Sequence, residues 1–119
     1  MLFSESLKKN EQFRNVYGKG KSYADRNIVL YVWKNNTSKN RLGISCSKKV
    51  GNSVVRHRFA RLVRESYRLH ENIFNSGLDI VVVARACASD SNFHDIEKSL
   101  LYLAGCAHII KNGEQTNIR

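Results

Sequence analysis

Three stretches of the chain carry apolar residues at the spacing of an amphipathic helix, about every third or fourth position. The first covers residues 7–17 and ends at the glycines of residues 18–20. The second covers residues 54–68, and the third runs from Phe93 to Ala107. The pattern therefore predicts three helices, the last of them packed on a sheet.

Three other stretches are typical of strands. Residues 27–34 and 41–47 are rich in β-branched and aromatic side chains and are separated by a polar turn, which predicts an antiparallel hairpin. Residues 78–86 form a continuous apolar run, as expected for a strand buried inside a sheet. The order of elements predicts an α+β two-layer sandwich, with three helices on a central, mostly antiparallel sheet.

The second helix has two chemically different sides. At about 100° per residue, its apolar residues fall on one side, namely Val55, Phe59, Leu62, Val63 and Tyr67. The opposite side carries His57, Arg61, Arg64 and Arg68. Cations three or four residues apart can line several phosphates in a row.

Charge is concentrated around this helix. Residues 48–68 contain seven Lys or Arg and one acid, Glu65. Residues 1–70 hold 16 basic and 4 acidic side chains, whereas residues 71–119 hold 4 and 6. A merely solvated helix face is usually interspersed with acids, so the pattern favours nucleic-acid binding. A membrane-binding helix would need a wide exposed apolar face, which this helix lacks.

Length and composition indicate one soluble domain spanning residues 1–119, with 42% apolar residues and no stretch that resembles a signal peptide or a membrane span. We expect a cytoplasmic protein. Cys46, Cys87 and Cys106 have no paired spacing and lie among apolar residues, which predicts buried free thiols. The four histidines have no zinc-site spacing, so no metal site is predicted.

Aromatic residues concentrate in the basic part of the chain. Strand alternation places Val29, Tyr31 and Trp33 on one face of residues 27–34 and the remaining apolar residues on the other. Together with Phe13 and Tyr17, Tyr31 can either stack on nucleic-acid bases or form ordinary core beneath the first helix. Periodicity leaves both interpretations open.

No catalytic constellation is apparent. The sequence has no Ser/His/Asp order, no phosphate-cradling glycine loop and no cluster of carboxylates for metal ions. His57 and His70 lie almost four turns apart on one helix, too far apart to share a phosphate. No catalytic side chain is therefore predicted.

Three segments resemble the protein subunit family of bacterial ribonuclease P. They are LKKNEQFRNVYGKGKSYADRNIVLYV, RLGISCSKKVGNSVVRHRFARLVRES and LDIVVVARA, and the resemblance covers roughly residues 7–108. The most specific part, GNSVVRHRFARLVRE, matches the family's arginine-rich helix, normally an Arg-Asn-Arg core followed by Lys-Arg and Arg-Glu. The resemblance implies a left-handed β-α-β crossover, unlike the usual right-handed one.

The resemblance also implies a function. Such a subunit binds a catalytic RNA, and together they remove the 5′ leader from precursor tRNA. The RNA and its Mg²⁺ carry the chemistry, so the isolated protein should not cleave. The implied partners are ribonuclease P RNA and precursor tRNA, with no membrane and no obligate protein partner.

Carried over by position, the resemblance assigns two sets of residues. Those expected to contact the catalytic RNA are Lys48, Lys49, Arg56, His57, Arg58, Arg61, Arg64 and Arg68. Those expected to form the leader-binding cleft are Phe13, Tyr17 and Tyr31, with Arg64 at its edge.

Three positions depart from the family pattern. His57 replaces an Asn, Ala60 replaces a common Lys, and Ser53 replaces a common Ala. An imidazole can still donate a hydrogen bond, but its protonation would make RNA affinity depend on pH. The missing Lys removes one phosphate contact, so we expect weaker RNA binding with function intact.

Two other classes of function share these features. A ribosomal or general RNA-binding module would bind many structured RNAs without preferring precursor tRNA. A self-sufficient nuclease would cut RNA when purified free of RNA.

Overall fold

The computed structural model describes residues 4–111, which form a five-stranded sheet and three α-helices. The strands are β1 (Ser4–Ser6), β2 (Lys21–Ala24), β3 (Ile28–Lys34), β4 (Asn40–Ser45) and β5 (Leu78–Ala84). The α-helices are α1 (Asn10–Lys19), α2 (Ser53–His70) and α3 (Phe93–Cys106), and short 3-10 turns occupy Glu71–Ile73 and Ala86–Asp90. The three predicted helices and the α+β class are confirmed.

The sheet is mixed, so the prediction of a mostly antiparallel sheet is wrong. The strand order is β1-β4-β5-β3-β2. β4 is parallel to both β1 and β5, while β3 is antiparallel to both β5 and β2. Because α2 carries the chain from the end of β4 back to the start of β5, these two strands are parallel and form a β-α-β unit. The left-handedness implied for this crossover stays a prediction.

The predicted hairpin of residues 27–34 with residues 41–47 is also wrong, because β5 lies between β3 and β4. β5 is almost entirely buried, as its continuous apolar run predicted, and it takes the centre of the sheet where both faces are covered. The connection from β3 to β4 is fastened to β5 by Asn35, whose Nδ2 donates to Asp79 Oδ1 at 2.9 Å.

Helices lie on both faces of the sheet. α2 and α3 pack on the face that holds Ile28, Leu30, Ile80 and Val82 and enclose the main core. α1 packs on the opposite face, where Val16 meets Val81 in a smaller cluster. The two-layer description therefore applies to the main core, and α1 adds partial cover behind the sheet.

α1 is bounded by local hydrogen bonding and by close backbone packing. At its start, the side-chain Oε1 of Gln12 accepts the backbone N–H groups of Lys8 and Lys9 at 3.1 and 3.2 Å. At its end, a Cβ on Gly20 would lie 2.6 Å from the carbonyl oxygen of Val16 and 2.7 Å from that of Val32. The chain can turn directly into β2 because this residue has no side chain.

α2 begins where Asn52 caps it, since the Asn52 Oδ1 accepts the backbone N–H of Val55 at 3.0 Å. It runs to His70, two residues beyond the predicted end. Tyr67, buried near that end, has its hydroxyl 2.8 Å from Ser4 Oγ and accepts from Asn40 Nδ2 at 3.3 Å. Burial raises the pKa of Tyr67, and these bonds satisfy its hydroxyl under the sheet.

An ion pair with a buried carboxylate lies on the central strand of the sheet. Asp79 on β5 is fully buried, and its two carboxylate oxygens accept from Arg41 Nε and Nη2 on β4, both at 2.7 Å. Asp79 Oδ1 also accepts from Asn35. The hydrogen bonds to Asp79 raise the pKa of Arg41. A bidentate pair with a third donor satisfies a charge that would otherwise be costly to bury.

All three cysteines are free, as predicted, but they are not all buried. Cys46 is half-buried after β4, and burial raises its thiol pKa while the nearby charge of Arg56 acts in the opposite direction. Cys87 and Cys106 are exposed, which corrects the prediction. Cys87 lies in the 3-10 turn beyond the buried strand, and Cys106 is the last residue of α3. No helix within residues 4–111 is long and apolar enough to cross a membrane.

Candidate nucleic-acid interface

The outer face of α2 carries a row of exposed basic side chains, here called the cationic stripe: His57, Arg61, Arg64 and Arg68. On the opposite side of the helix, Phe59, Val63 and Tyr67 are buried in the main core. The division of the helix into an apolar and a basic side is as predicted. The stripe extends over 11 residue steps, or about 16 Å of helix.

Charges on the stripe are only partly offset within the protein. Glu65 forms an ion pair with Arg68 three residues along, and this hydrogen bond lowers the pKa of Glu65. Arg61 and Arg64 have no hydrogen-bond or ion-pair partner among residues 4–111. Their guanidinium groups are fully available to an anion.

Lys48 and Lys49 lie just before α2, in a turn closed by a hydrogen bond from the Val50 N–H to the Ser47 carbonyl at 3.1 Å. Both lysines are exposed. They extend the positive charge beyond the amino-terminal end of the stripe.

Arg56 and Arg58 lie on the two flanks of α2 rather than on the stripe, about 90–110° around the helix from its centre. Arg56 is half-buried, and its Nε is buried without a hydrogen-bond partner among the described residues. Arg58 is exposed, and its Nη2 donates to the backbone carbonyl of Ser91 at 2.6 Å. The family resemblance assigned both to the RNA-contacting set, and that assignment stays a prediction; on the helix they lie apart from the stripe.

Phe13, Tyr17 and Tyr31 come together on the other face of the sheet, and we call them the aromatic platform. The Tyr17 and Tyr31 rings meet edge to face with centroids 4.9 Å apart, and the Phe13 and Tyr17 centroids are 6.3 Å apart. Tyr17 is 40% exposed, whereas Phe13 and Tyr31 are half-buried against the small cluster under α1. In the platform, Phe13 and Tyr31 are thus packed against the sheet, and the Tyr17 ring is accessible.

Arg64 was predicted at the edge of this platform. It lies on α2, on the opposite face of the sheet from α1, and no hydrogen bond joins it to the platform within residues 4–111. Its place beside the platform stays a prediction.

A glycine that the sequence analysis did not single out positions the platform. A Cβ on Gly43 of β4 would lie 2.8 Å from two ring carbons of Phe13 and 3.0 Å from Leu7 Cδ1. Phe13 can lie directly on the sheet because this position has no side chain. This role depends on how α1 packs over β4, and no signal in the sequence reveals that packing.

We expect Gly43→Ala to destabilise the protein by about 1–2 kcal/mol, because the added methyl overpacks a site already filled by Phe13. Chemical denaturation followed by circular dichroism measures the change. The matched control is Gly18→Ala on α1, where nothing lies within 4 Å of an added Cβ, and where the helical position should gain up to about 1 kcal/mol. Equal effects of the two substitutions would contradict the packing argument.

A second aromatic contact lies on the same face of the sheet. Trp33 on β3 has the ammonium of Lys19 5.5 Å from its ring centroid, within the range of a cation–π interaction. Strand alternation placed Trp33 on the face of Tyr31, and the register confirms it. The contact fastens the end of α1 to β3.

A groove of about 1070 Å³ lies between the β2–β3 turn and α3, lined in part by Asp25, Asp90, Asp95 and Glu97. None of the stripe or platform residues lines it. Arg26 and Lys98 also line it, so the charge of the groove is mixed. Within residues 4–111, no three His, Cys, Asp or Glu side chains are grouped to hold a metal ion.

Fold and surface together define a small basic α+β protein with a cationic helix on one face of a mixed sheet and an aromatic platform on the other. A family profile for ribonuclease P matches residues 1–108. The chain belongs to the ribonuclease P protein family.

Relatives and solved structures agree with this assignment. The ribonuclease P protein component of Lachnoclostridium phytofermentans is 60% identical over 111 residues, covering 93% of this chain and 96% of that protein. The Staphylococcus aureus RNase P protein superposes with a TM-score of 0.83 at 37% identity, over 91% of this chain and 99% of that one. The Thermotoga maritima RNase P protein superposes with a TM-score of 0.76 at 31% identity, over 83% of this chain and 94% of that one.

Proposed function

We propose that this ribonuclease P protein component binds the catalytic RNA through the cationic stripe and the 5′ leader of precursor tRNA through the aromatic platform. The observation that carries the proposal is the exposed row of arginines on α2, of which Arg61 and Arg64 have no partner in the described part of the chain. A folded protein that keeps such cations unpaired is suited to a polyanionic partner.

The stripe acts by neutralising phosphates. Each phosphate contact releases counterions, so RNA affinity should fall steeply with salt, by a slope of about 0.7–0.9 per contact. Lys48 and Lys49 add to this contact at the amino-terminal end of α2. Arg68 contributes less, because its ion pair with Glu65 already offsets part of its positive charge.

The platform acts by stacking. Single-stranded RNA is held when unpaired bases lie on aromatic faces, and the accessible edge of Tyr17 offers such a surface. A leader is the single-stranded part that distinguishes precursor from mature tRNA. The platform therefore gives the protein a means to favour precursor over product.

The protein's part in the reaction is to bind and position RNA. The Mg²⁺ that the family's reaction requires does not fit a protein site within residues 4–111, where no metal-binding group of side chains occurs. As the family resemblance implies, the RNA would hold the ion and carry the cleavage chemistry.

We expect Tyr17→Ala to weaken binding of precursor tRNA by the reconstituted protein–RNA complex about tenfold, because one stacked base contributes about 1–3 kcal/mol. Binding of mature tRNA should stay unchanged. Equilibrium titrations with the two tRNAs measure the difference.

Tyr102→Ala is the matched control, since Tyr102 is 56% exposed on α3, away from the platform. It should leave both affinities at the parent value. Equal losses for precursor and mature tRNA in Tyr17→Ala would return Tyr17 to a purely structural role.

A further inference from the structure

Arg58 belongs to the charge cluster of α2 but faces a different part of the molecule from the stripe. Its position on the helix points toward α3, and its Nη2 donates to the Ser91 carbonyl at 2.6 Å. A charged donor on a neutral carbonyl makes one of the stronger hydrogen bonds in proteins. Arg58, although exposed, thus already uses one of its donors in a contact within the fold.

Ser91 is a fixed anchor for that contact. It is only 4% exposed, and its N–H donates to the Ala88 carbonyl at 3.1 Å. Its hydroxyl lies 3.3 Å from both Asn27 Oδ1 and the Cys87 carbonyl, and Asn27 Nδ2 donates to Ser99 Oγ at 3.1 Å. The carbonyl that holds Arg58 is therefore tied to the β2–β3 turn and to α3.

A second polar link joins α2 to α3 near the other end of the helix. His70 Nε2 lies 2.8 Å from Glu97 Oε2. Arg58 and His70 are 12 residues apart, about 18 Å along the helix. Nearly all of the stripe lies between these two links, so they fix how it faces outward.

The groove next to Ser91 carries both acidic and basic side chains. Asp90 and Asp95 line it close to Ser91, and Arg26 and Lys98 line it as well. A phosphate approaching Ser91 would therefore meet carboxylates as well as cations, whereas one approaching Arg61 meets no described ion-pair partner.

We propose that Arg58 is a positioning residue: it holds the amino-terminal half of α2 against the start of α3 and supports RNA affinity through the placement of the stripe, not through a phosphate contact. This inference rests on the proposed function of the stripe. Releasing the link would leave the stripe correctly placed for only a fraction of the time, which lowers apparent affinity by that fraction.

The test compares Arg58→Met with Arg61→Met, which remove the same charge and keep an unbranched stem. Dissociation constants for a bacterial ribonuclease P RNA are measured over a salt series, on proteins shown by circular dichroism to be folded. Arg61→Met should make the slope of log affinity against log salt shallower by about 0.7–0.9. Arg58→Met should raise the dissociation constant about fivefold at every salt concentration and keep the parent slope.

A shallower slope in Arg58→Met, equal to that of Arg61→Met, would overturn the inference, and so would an unchanged dissociation constant. If Arg58→Met does not fold, Arg58→Gln removes the same charge, keeps an amide donor, and is judged by the same slope. Failure of the parent protein to bind the RNA would instead refute the proposed function.

Discussion

Replacing Arg61 and Arg64 together by glutamine should weaken binding to ribonuclease P RNA by about 100-fold. Both guanidinium groups are exposed and unpartnered among residues 4–111, so they are free to contact phosphate. A hydrogen bond to a charged group contributes about 1.5–3 kcal/mol, and two such losses give about 3 kcal/mol or more. The salt slope should become shallower by about 1.4–1.8, because two phosphate contacts are lost.

The matched control removes the same amount of charge elsewhere. Lys98 and Lys111 are exposed and lie outside α2, so Lys98→Gln with Lys111→Gln lowers the net charge equally. We expect less than a threefold change in the control, because physiological salt screens the long-range attraction between these lysines and the RNA. Equal losses in the two double variants would show that net charge, not the stripe, governs RNA binding.

The largest expected effect on stability comes from Asp79→Ala, which should lower the free energy of unfolding by about 3 kcal/mol. The substitution leaves Arg41 and Asn35 without the carboxylate that accepts from both. Breaking a buried ion pair costs about 3–5 kcal/mol, and the lower value applies because the Arg41 side chain is 25% exposed and water can reach it. The total free energy of unfolding of a domain of this size is about 5–15 kcal/mol.

Urea denaturation followed by the fluorescence of Trp33, which pairs with Asp79 across the sheet, measures this change. Asp79→Asn is the conservative control, because an amide oxygen still accepts one bond from Arg41, and it should cost about half as much. A loss below about 1 kcal/mol in Asp79→Ala would mean that the pair contributes little beyond its desolvation cost.

The long elements of this fold could be predicted from periodicity, because their burial is strong. The helices α1 to α3 and the strands β3 to β5 follow apolar patterns that only one local structure satisfies. β1 and β2 were missed because their sequences, SES and KSYA, carry no alternation, and they form only as edges beside β4 and β3.

The order of the strands could not be predicted in the same way. Two strands joined by a short polar turn usually pair, but here β5, which comes much later in the chain, inserts between them. The pairing is settled by burial of β5 on both faces and by the contacts of Asp79 with Arg41 and Asn35, which join residues far apart in sequence.

The candidate site likewise has one part that the sequence predicts and another that depends on packing between elements. The exposed row of His57, Arg61, Arg64 and Arg68 follows from helical spacing alone. The requirement for Gly43 under Phe13 and the link from Arg58 to Ser91 depend on packing between elements, and no spacing rule reveals them. Helical geometry did separate Arg58 from the stripe, but only the fold shows what it contacts.

Cleavage of a precursor tRNA carrying a 5′ leader, at low Mg²⁺, tests the central claim most directly. Three reactions are compared: a bacterial ribonuclease P RNA alone, this protein alone, and the two together. We expect cleavage only in the mixture, at the mature 5′ end. Cleavage by the RNA-free protein would make it a nuclease in its own right. No gain from adding the protein to an RNA proven active at high Mg²⁺ would contradict the account and favour a general RNA-binding role.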